Sequence, residues 1–260
     1  MPESEALHPH YQFAPGRLYE MMLKQIAPYT VKGVIWYQGE SDDINAEVYD
    51  VILSSMIQCW RDLWEYQLPF YIVQLPELEQ WLALSGKNYP LIRQMQEKVT
   101  DTVKDTYLIS TMDCGMQYDI HPKKKKPVGE RLAKMALKHT YGFRIQAGSP
   151  RPDKVWLRKE RLILHFQDAE GGLVSEDIDH IKEGIVWLAD RKLITDYQIE
   201  LDDDQIVLQA DELQNCKEIK LTFAGAAYYV VNVFNKAGFS IRPFSVSFSS
   251  PGSAEFHVPF

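Results

Sequence analysis

The sequence predicts an α/β chain with an all-β module at its carboxyl end, and two observations carry that reading. Up to about residue 147, continuous apolar runs alternate with segments of helical periodicity, the pattern of a parallel sheet covered on both faces. From residue 148 the helical periodicity stops, and strand-like runs recur at short intervals between Gly, Asp and Asn clusters such as AEGG and ELDDDQ. The expected division is therefore 1–147 for the α/β unit and 148–260 for the β unit, joined through the SPRPDK stretch.

Taken in order, residues 17–26 (RLYEMMLKQI) place Leu18, Met21, Met22 and Ile26 near helical spacing. An apolar strand is expected over 31–38. The segment 46–66 sets Val48, Val51, Ile52, Ser55, Met56, Cys59, Trp60 and Leu63 on one stripe, a long amphipathic helix. Residues 70–75 (FYIVQL) form a second buried strand, closed by Pro76. A helix over 92–104 precedes a third strand at 106–112 (TYLISTM), and a helix over 129–141 ends at Gly142. In the β unit, strands are expected at 155–157, 162–166, 185–189, 206–210, 218–223 and 228–234.

At 260 residues, 45% hydrophobic and 12% aromatic, the chain can bury a sizeable core as a soluble globular protein of one large or two modest domains. Its net charge of −8 and pI near 5.4 argue against a nucleic-acid partner, which would need a basic face, and favour a small or neutral substrate. No run approaches the roughly 18 apolar residues of a membrane span. The first 16 residues, MPESEALHPHYQFAPG, carry neither a basic nor an apolar leader region, so no export signal is visible and the compartment stays open. Cys59, Cys114 and Cys216 are widely spaced and make neither a disulfide framework nor a CxxC site; they read as free thiols. The lysine run 123–126 reads as a solvated turn before a helix, and His8 and His10 as part of a polar tail. Trp36, Trp60, Trp64 and Trp81 fall on apolar stripes, and Trp156 and Trp187 fit the core of the β unit.

Polar side chains gather where the strands end: Gln38 and Glu40 after the first, Gln74 in the second, Asp113 after the third, and Asp119-Ile120-His121-Pro122 close behind. A histidine two residues from an aspartate, in a loop before a helix, suits a hydrolytic base whose tautomer is held by a carboxylate. A metal site through His121, Asp119 and Asp113 is a weaker reading, because zinc would want a second histidine nearby.

Tyr37-Gln38-Gly39-Glu40-Ser41 and Asp119-Ile120-His121-Pro122 together resemble blocks of the sialate O-acetylesterase family of SGNH-type hydrolases. The similarity continues in family order through 14–19 (APGRLY), 72–76 (IVQLP), 91–96 (LIRQMQ), 128–133 (VGERLA), 234–239 (FNKAGF) and 242–244 (RPF), covering most of the chain. The resemblance implies an SGNH-hydrolase-like, flavodoxin-like parallel three-layer sheet joined to a β-sandwich-like module. It also implies removal of O-acetyl groups from sialic acid or a related acetylated sugar, with no metal or organic cofactor, in a family whose members are often exported. His121 would be the base and Asp119 its orienting carboxylate; Gln38 would donate to the oxyanion, Gly39 would let substrate approach, and Glu40 would brace the loop. The family's nucleophilic serine stands in a Gly-x-Ser turn upstream of the Gln-Gly-Glu block, and this sequence has no such turn there: Ser4 lies in an acidic tail, Ser41 follows the block, and Ser54 and Ser55 lie mid-helix. The expectation is an α/β sheet that begins after the nucleophile, with its first visible strand open to another chain, either a separate amino-terminal half or a second copy in a homo-oligomer. The rival reading is a catalytically inactive carbohydrate-binding or assembly remnant.

Overall fold

The structure, a computed structural model, describes residues 16–27, 29–249 and 255–256. Ser4, His8 and His10 lie outside them, as do Ala14 and Pro15 of the APGRLY block.

Three strands form a parallel sheet in the order β1 (Val34–Trp36), β2 (Phe70–Val73), β3 (Thr106–Ile109), with Val34 opposite Phe70 and Phe70 opposite Thr106. β2 is buried at every position, which is why its sequence is an uninterrupted apolar run. Alternate side chains point to opposite faces. Phe70, Ile72 and Leu108 pack with Leu53 and Ile57 of α1 (Tyr49–Trp64) and Ile92 and Val99 of α2 (Tyr89–Thr102). Tyr71, Val73 and Ile109 pack on the other side with Val128, Leu132 and Met135 of α3 (Lys125–His139). The result is the three-layer arrangement expected for the α/β unit.

The strands and the main helices fall within a few residues of their expected positions, but the stripe expected to bury α1 is only partly buried, with Met56 and Trp60 packed against the core and the rest largely outside. Tyr49, Leu53, Ile57 and Arg61 are the buried positions, whereas Val48, Val51, Ile52 and Cys59 are exposed. Periodicity defines a face; which face is buried depends on the sheet beneath it. Among the described residues β1 pairs with β2 alone, and Ile35 is 63% exposed. The 17–26 segment is helical, with a π-helical turn at Tyr19–Leu23 running into Lys24–Ile26, yet it buries no side chain.

Beyond residue 150 the strands are antiparallel. One sheet runs β7 (Gln198–Asp202), β8 (Gln205–Gln209), β5 (Arg161–Gln167), β4 (Arg151–Arg158), Glu255–Phe256, and a second runs Lys192–Leu193, β6 (Ile185–Ala189), β9 (Glu218–Phe223), β10 (Phe244–Ser249). Leu164 and Leu208 of the first sheet and Trp187, Leu221 and Val246 of the second share one core, the sandwich-like module expected from the sequence. A short helix, α4 (Ile178–Glu183), is capped by the Asp177 side chain, which accepts from the His180 N–H. Three local expectations fail. The 148–153 connector is buried at Gly148–Pro150 and runs straight into β4. β7 and β10 were not anticipated. Residues 228–234 carry strand-type side chains but form no continuous strand, because they bond singly to other segments, as Val231 N–H does to the Met112 carbonyl.

The two units are pinned by Arg131 of α3. Its guanidinium forks onto both Asp113 oxygens at 2.6 and 2.8 Å and donates to the carbonyls of Ser110 and Gly238. Both side chains are largely buried, at 4% and 12% exposure. Arg131→Met strands the Asp113 carboxylate, and the expected loss is about 3–5 kcal/mol, read as a lowered urea midpoint. A loss below about 1 kcal/mol, the level of an exposed pair, would show that the contact is not an anchor.

Candidate active site

The chain turns sharply as it leaves β1. Gly39 has φ +145°, a conformation that side-chain-bearing residues rarely adopt. It is also buried, and a Cβ there would meet Leu75, Ile92 and the Tyr49 hydroxyl, each at 3.3 Å. The missing side chain thus makes room for Tyr49 of α1, Ile92 of α2 and Leu75 just after β2.

That turn fixes Gln38. Its backbone carbonyl accepts from Tyr49 Oη at 3.0 Å and from Gln96 Nε2 at 3.3 Å. Its side-chain oxygen accepts from Tyr49 Oη at 3.2 Å, and its amide nitrogen donates to Asp42 at 2.6 Å. An amide carries two N–H donors, so one is committed to Asp42 and one is left for a ligand. Gln96, fully buried on α2, also accepts from the Leu75 N–H, so one side chain clamps the ends of β1 and β2 together. The Glu40 side chain has no hydrogen-bond partner among the described residues, and Asp42, Tyr49 and Gln96 are the groups that hold Gln38.

His121 sits on an exposed loop after β3. Asp119 Oδ1 accepts from the His121 backbone N–H at 2.9 Å and lies 3.1 Å from Nδ1, so the sequence-predicted pair is formed. A carboxylate only accepts, so Nδ1 carries the proton of the neutral ring and Nε2 is free to take one. The His121 backbone N–H holds the Asp119 carboxyl below its usual value, keeping it ionised as an orienting group. Trp81, in the hairpin formed by Gln80–Trp81 and Leu84–Ser85, meets the imidazole edge-on with centroids 5.2 Å apart. Among the described residues no hydroxyl is hydrogen-bonded to His121. Ser41 is exposed on the 3-10 stretch Glu40–Val48, and Ser55 donates to the Val51 carbonyl within α1.

The other expected polar positions serve different ends. Asp113 is engaged by Arg131, which removes it from a metal reading with His121 and Asp119. Within the lysine run, Lys124 donates to the Asp113 carbonyl, Lys125 lies 4.7 Å from the Tyr37 ring, and Lys126 pairs with Glu130, so these lysines fasten the start of α3.

Sequence reasoning missed Glu77. It follows β2 in LPELEQW, where an acid in a polar loop gives no signal, yet it is buried. One of its oxygens accepts from the Gly115 N–H at 3.0 Å and the other has no partner among the described residues. Burial pushes its carboxyl up to about 7, helped by the neighbouring charge of Asp113. The Tyr37 and Tyr89 hydroxyls are likewise buried without partners among the described residues, and burial raises both above the usual phenol value.

Comparison with known proteins gives a consistent picture. The family described as carbohydrate esterase, sialic acid-specific acetylesterase, matches residues 7–138. A sialate O-acetylesterase of Homo sapiens is 28% identical over 168 residues, covering 57% of this chain and 32% of that protein. One from Mus musculus is 29% identical over 170 residues, covering 57% and 31%. The chain thus spans about a third of the length of the curated relatives it matches. The crystal structure of a novel carbohydrate acetylesterase from Xanthomonas citri superposes with a TM-score of 0.75 at 25% identity, covering 94% of this chain and 56% of that one. The fold is SGNH-like, a parallel α/β sheet with an antiparallel β module.

Two outcomes follow from this geometry. Gly39→Ala should cost about 1–3 kcal/mol from the forced φ, measured by chemical denaturation; an unchanged midpoint would mean the turn can rearrange. For Glu77 the folded carboxyl titrates near 7 against an ordinary value of 4.5. Between those values the folded state binds more protons, so stability is fully kept below about pH 4.5, falls as pH rises through the window and is flat above it. Glu77→Gln should remove up to about 3 kcal/mol of that decline, seen by comparing urea curves at pH 5 and 7.5. Parallel curves for the two proteins would sink the assignment.

Proposed function

The chain belongs to the carbohydrate esterase family of sialic acid-specific acetylesterases, and from that premise we propose that it forms the base-bearing part of an O-acetylesterase site acting on sialic acid or a related acetylated sugar. The observation that carries the reading is the Asp119–His121 pair, with Nδ1 held by a carboxylate and Nε2 open. In this mechanism His121 Nε2 takes the proton of a serine hydroxyl as it attacks the acetyl carbonyl. The remaining Gln38 N–H meets the oxyanion, and His121 returns the proton to the departing sugar oxygen. Gln38 is supported in that role by being held on three sides, which fixes its amide before substrate arrives.

The nucleophile is proposed to come from a segment other than the described residues, one that pairs with the free edge of β1. Two observations support this: among the described residues no hydroxyl bonds His121, and nothing covers the apolar edge of β1 and the exposed side of α1. The first of them also favours a second reading, in which the chain binds the sugar without cleaving it.

p-Nitrophenyl acetate hydrolysis by the full chain, with and without a segment carrying a Gly-x-Ser turn supplied in trans, separates the readings. Hydrolysis is expected with the added segment and should fall about 10²–10⁴-fold in His121→Ala, the usual contribution of a general base. Turnover indifferent to His121→Ala overturns the proposed base. No turnover in any sample leaves the binding-only reading.

A further inference from the structure

Every second residue from Glu77 to Trp81, in the segment that leaves β2, meets the loop that carries His121. Glu77 accepts from the Gly115 N–H at 3.0 Å. Glu79 donates its backbone N–H to the Gln117 carbonyl at 3.0 Å, and its carboxylate accepts from the Gln117 side-chain amide. Trp81 then reaches His121 itself, with ring centroids 5.2 Å apart and planes at 85°. Glu77, Glu79 and Trp81 thus meet Gly115, Gln117 and His121 in the same order, as a strap laid along the loop.

The strap is itself held at both ends. The Leu78 N–H donates to the Ala227 carbonyl of the β module at 3.0 Å, and the chain turns back so that the Gly86 N–H donates to the Glu79 carbonyl at 2.9 Å. That closure needs a residue without a side chain, because a Cβ on Gly86 would stand 1.8 Å from the Leu78 carbonyl oxygen. Trp81 and Ile120, the residue before His121, pack against the same core cluster. The indole and the loop backbone are therefore referred to one body, and their contact is not a chance meeting of two free side chains.

We propose that Trp81 is the positioning residue of the His121 base, an inference that rests on the hydrolytic reading above. Packing of Ile120 fixes the backbone but leaves the side-chain torsions of His121 free, and the ring is 74% exposed. Asp119 ties Nδ1 through a single contact of 3.1 Å, and hydrogen bonds tolerate a broad range of angles, so the ring can swing about that axis. A general base must point Nε2 along one line, since misplacement of reacting atoms by about 1 Å costs about 10²-fold in rate. The indole closes the swing. Aromatic rings favour edge-to-face pairs with centroids about 4.5–7 Å apart, which gives the imidazole plane an orientation that the aspartate alone does not supply. An aliphatic side chain at position 81 would fill space without that angular preference, and this separates positioning from packing.

The test uses the full chain labelled at histidine, with His121→Ala to identify the His121 signals, and follows ring-carbon relaxation and ring-proton shifts in Trp81→Leu and Trp81→Phe. In Trp81→Leu the His121 ring is expected to fall below an order parameter of about 0.6, the flexible range, and to take the shifts of an unrestrained histidine. Trp81→Phe should restore both. With the segment carrying a Gly-x-Ser turn added, kcat for p-nitrophenyl acetate should fall about tenfold to 10²-fold in Trp81→Leu. KM should stay within about twofold, and Trp81→Phe should recover most of the rate. A melting temperature shared by the two variants excludes loss of fold as the cause. Glu79→Ala, which loosens the strap at an exposed position and keeps the indole, should reproduce the effect in weaker form even where Trp81→Leu does not fold. A ring equally ordered with and without the indole overturns the proposal, and so does a ring set free with turnover unchanged. Absence of turnover in every sample sinks the hydrolytic reading instead, and the ring measurement then decides the hold of Trp81 by itself.

Discussion

A single guanidinium, that of Arg131, sets where the candidate base can stand. His121 is 74% exposed, held directly among the described residues only by Asp119 and the edge of Trp81. The loop that carries it leaves β3 at Ser110 and returns as α3, and both ends are tied to the same point. Arg131 donates to the Ser110 carbonyl and forks onto the Asp113 carboxylate, while Lys124 reaches back to the Asp113 carbonyl. Between them, the Gly115 N–H is fixed by the buried Glu77, where a Cβ on Gly115 would come within 2.4 Å of the Glu77 carbonyl oxygen. A planar fork satisfies a carboxylate and two carbonyls at once, which a lysine cannot do. Precision at this exposed candidate position is therefore supplied from beneath it, by buried groups.

The same arginine reaches the β module through the Gly238 carbonyl, and it is not alone there. Asn235, 1% exposed, satisfies its whole side chain by accepting from the Ala237 and Phe239 N–H groups and donating to the Gly148 and Asp168 carbonyls. Arg242 donates to the Ser149 carbonyl and to Glu97 of α2 at 3.2 Å. Contacts of this kind are directional and buried, so they hold the module in one orientation. A cleft between the two units exists because that orientation is fixed: α2 gives one wall and β9 and β10 the other.

What the sequence made legible was whatever is local. Asp119 and His121 are two residues apart, and Gln38 follows its strand directly, so short patterns disclosed both halves of the candidate site. β2 announced itself because a strand buried on both faces must be apolar throughout. Glu77 was silent, since the turn that packs on it, at Gly115, lies 38 residues further along the chain. The α1 stripe misled for a related reason: Val48, Val51 and Ile52 repeat as a core face should, yet among the described residues the sheet reaches no further than β1 and leaves them outside. Residues 228–234 (YYVVNVF) have the side chains of a strand, but a strand is a pairing, and their backbone partners lie elsewhere.

The exposed positions of α1 and the edge of β1 that is unpaired among the described residues pose one problem, and the nature of the covering segment follows from strand direction. A second copy meeting β1 across a twofold axis would pair antiparallel, as isologous contacts of single strands must. It would cover Ile35 and satisfy the backbone, but its own Gln38 end would lie about 10 Å away along the three-residue strand, at roughly 3.3 Å per residue. A strand running parallel to β1 ends beside Gln38 and Gly39, where the chain after it turns over the carboxyl ends of the sheet. Only that geometry carries a hydroxyl toward His121 Nε2 while hiding the apolar edge. Self-association can thus relieve the exposed surface of this chain without completing its proposed chemistry, whereas a parallel strand ending in a serine turn does both.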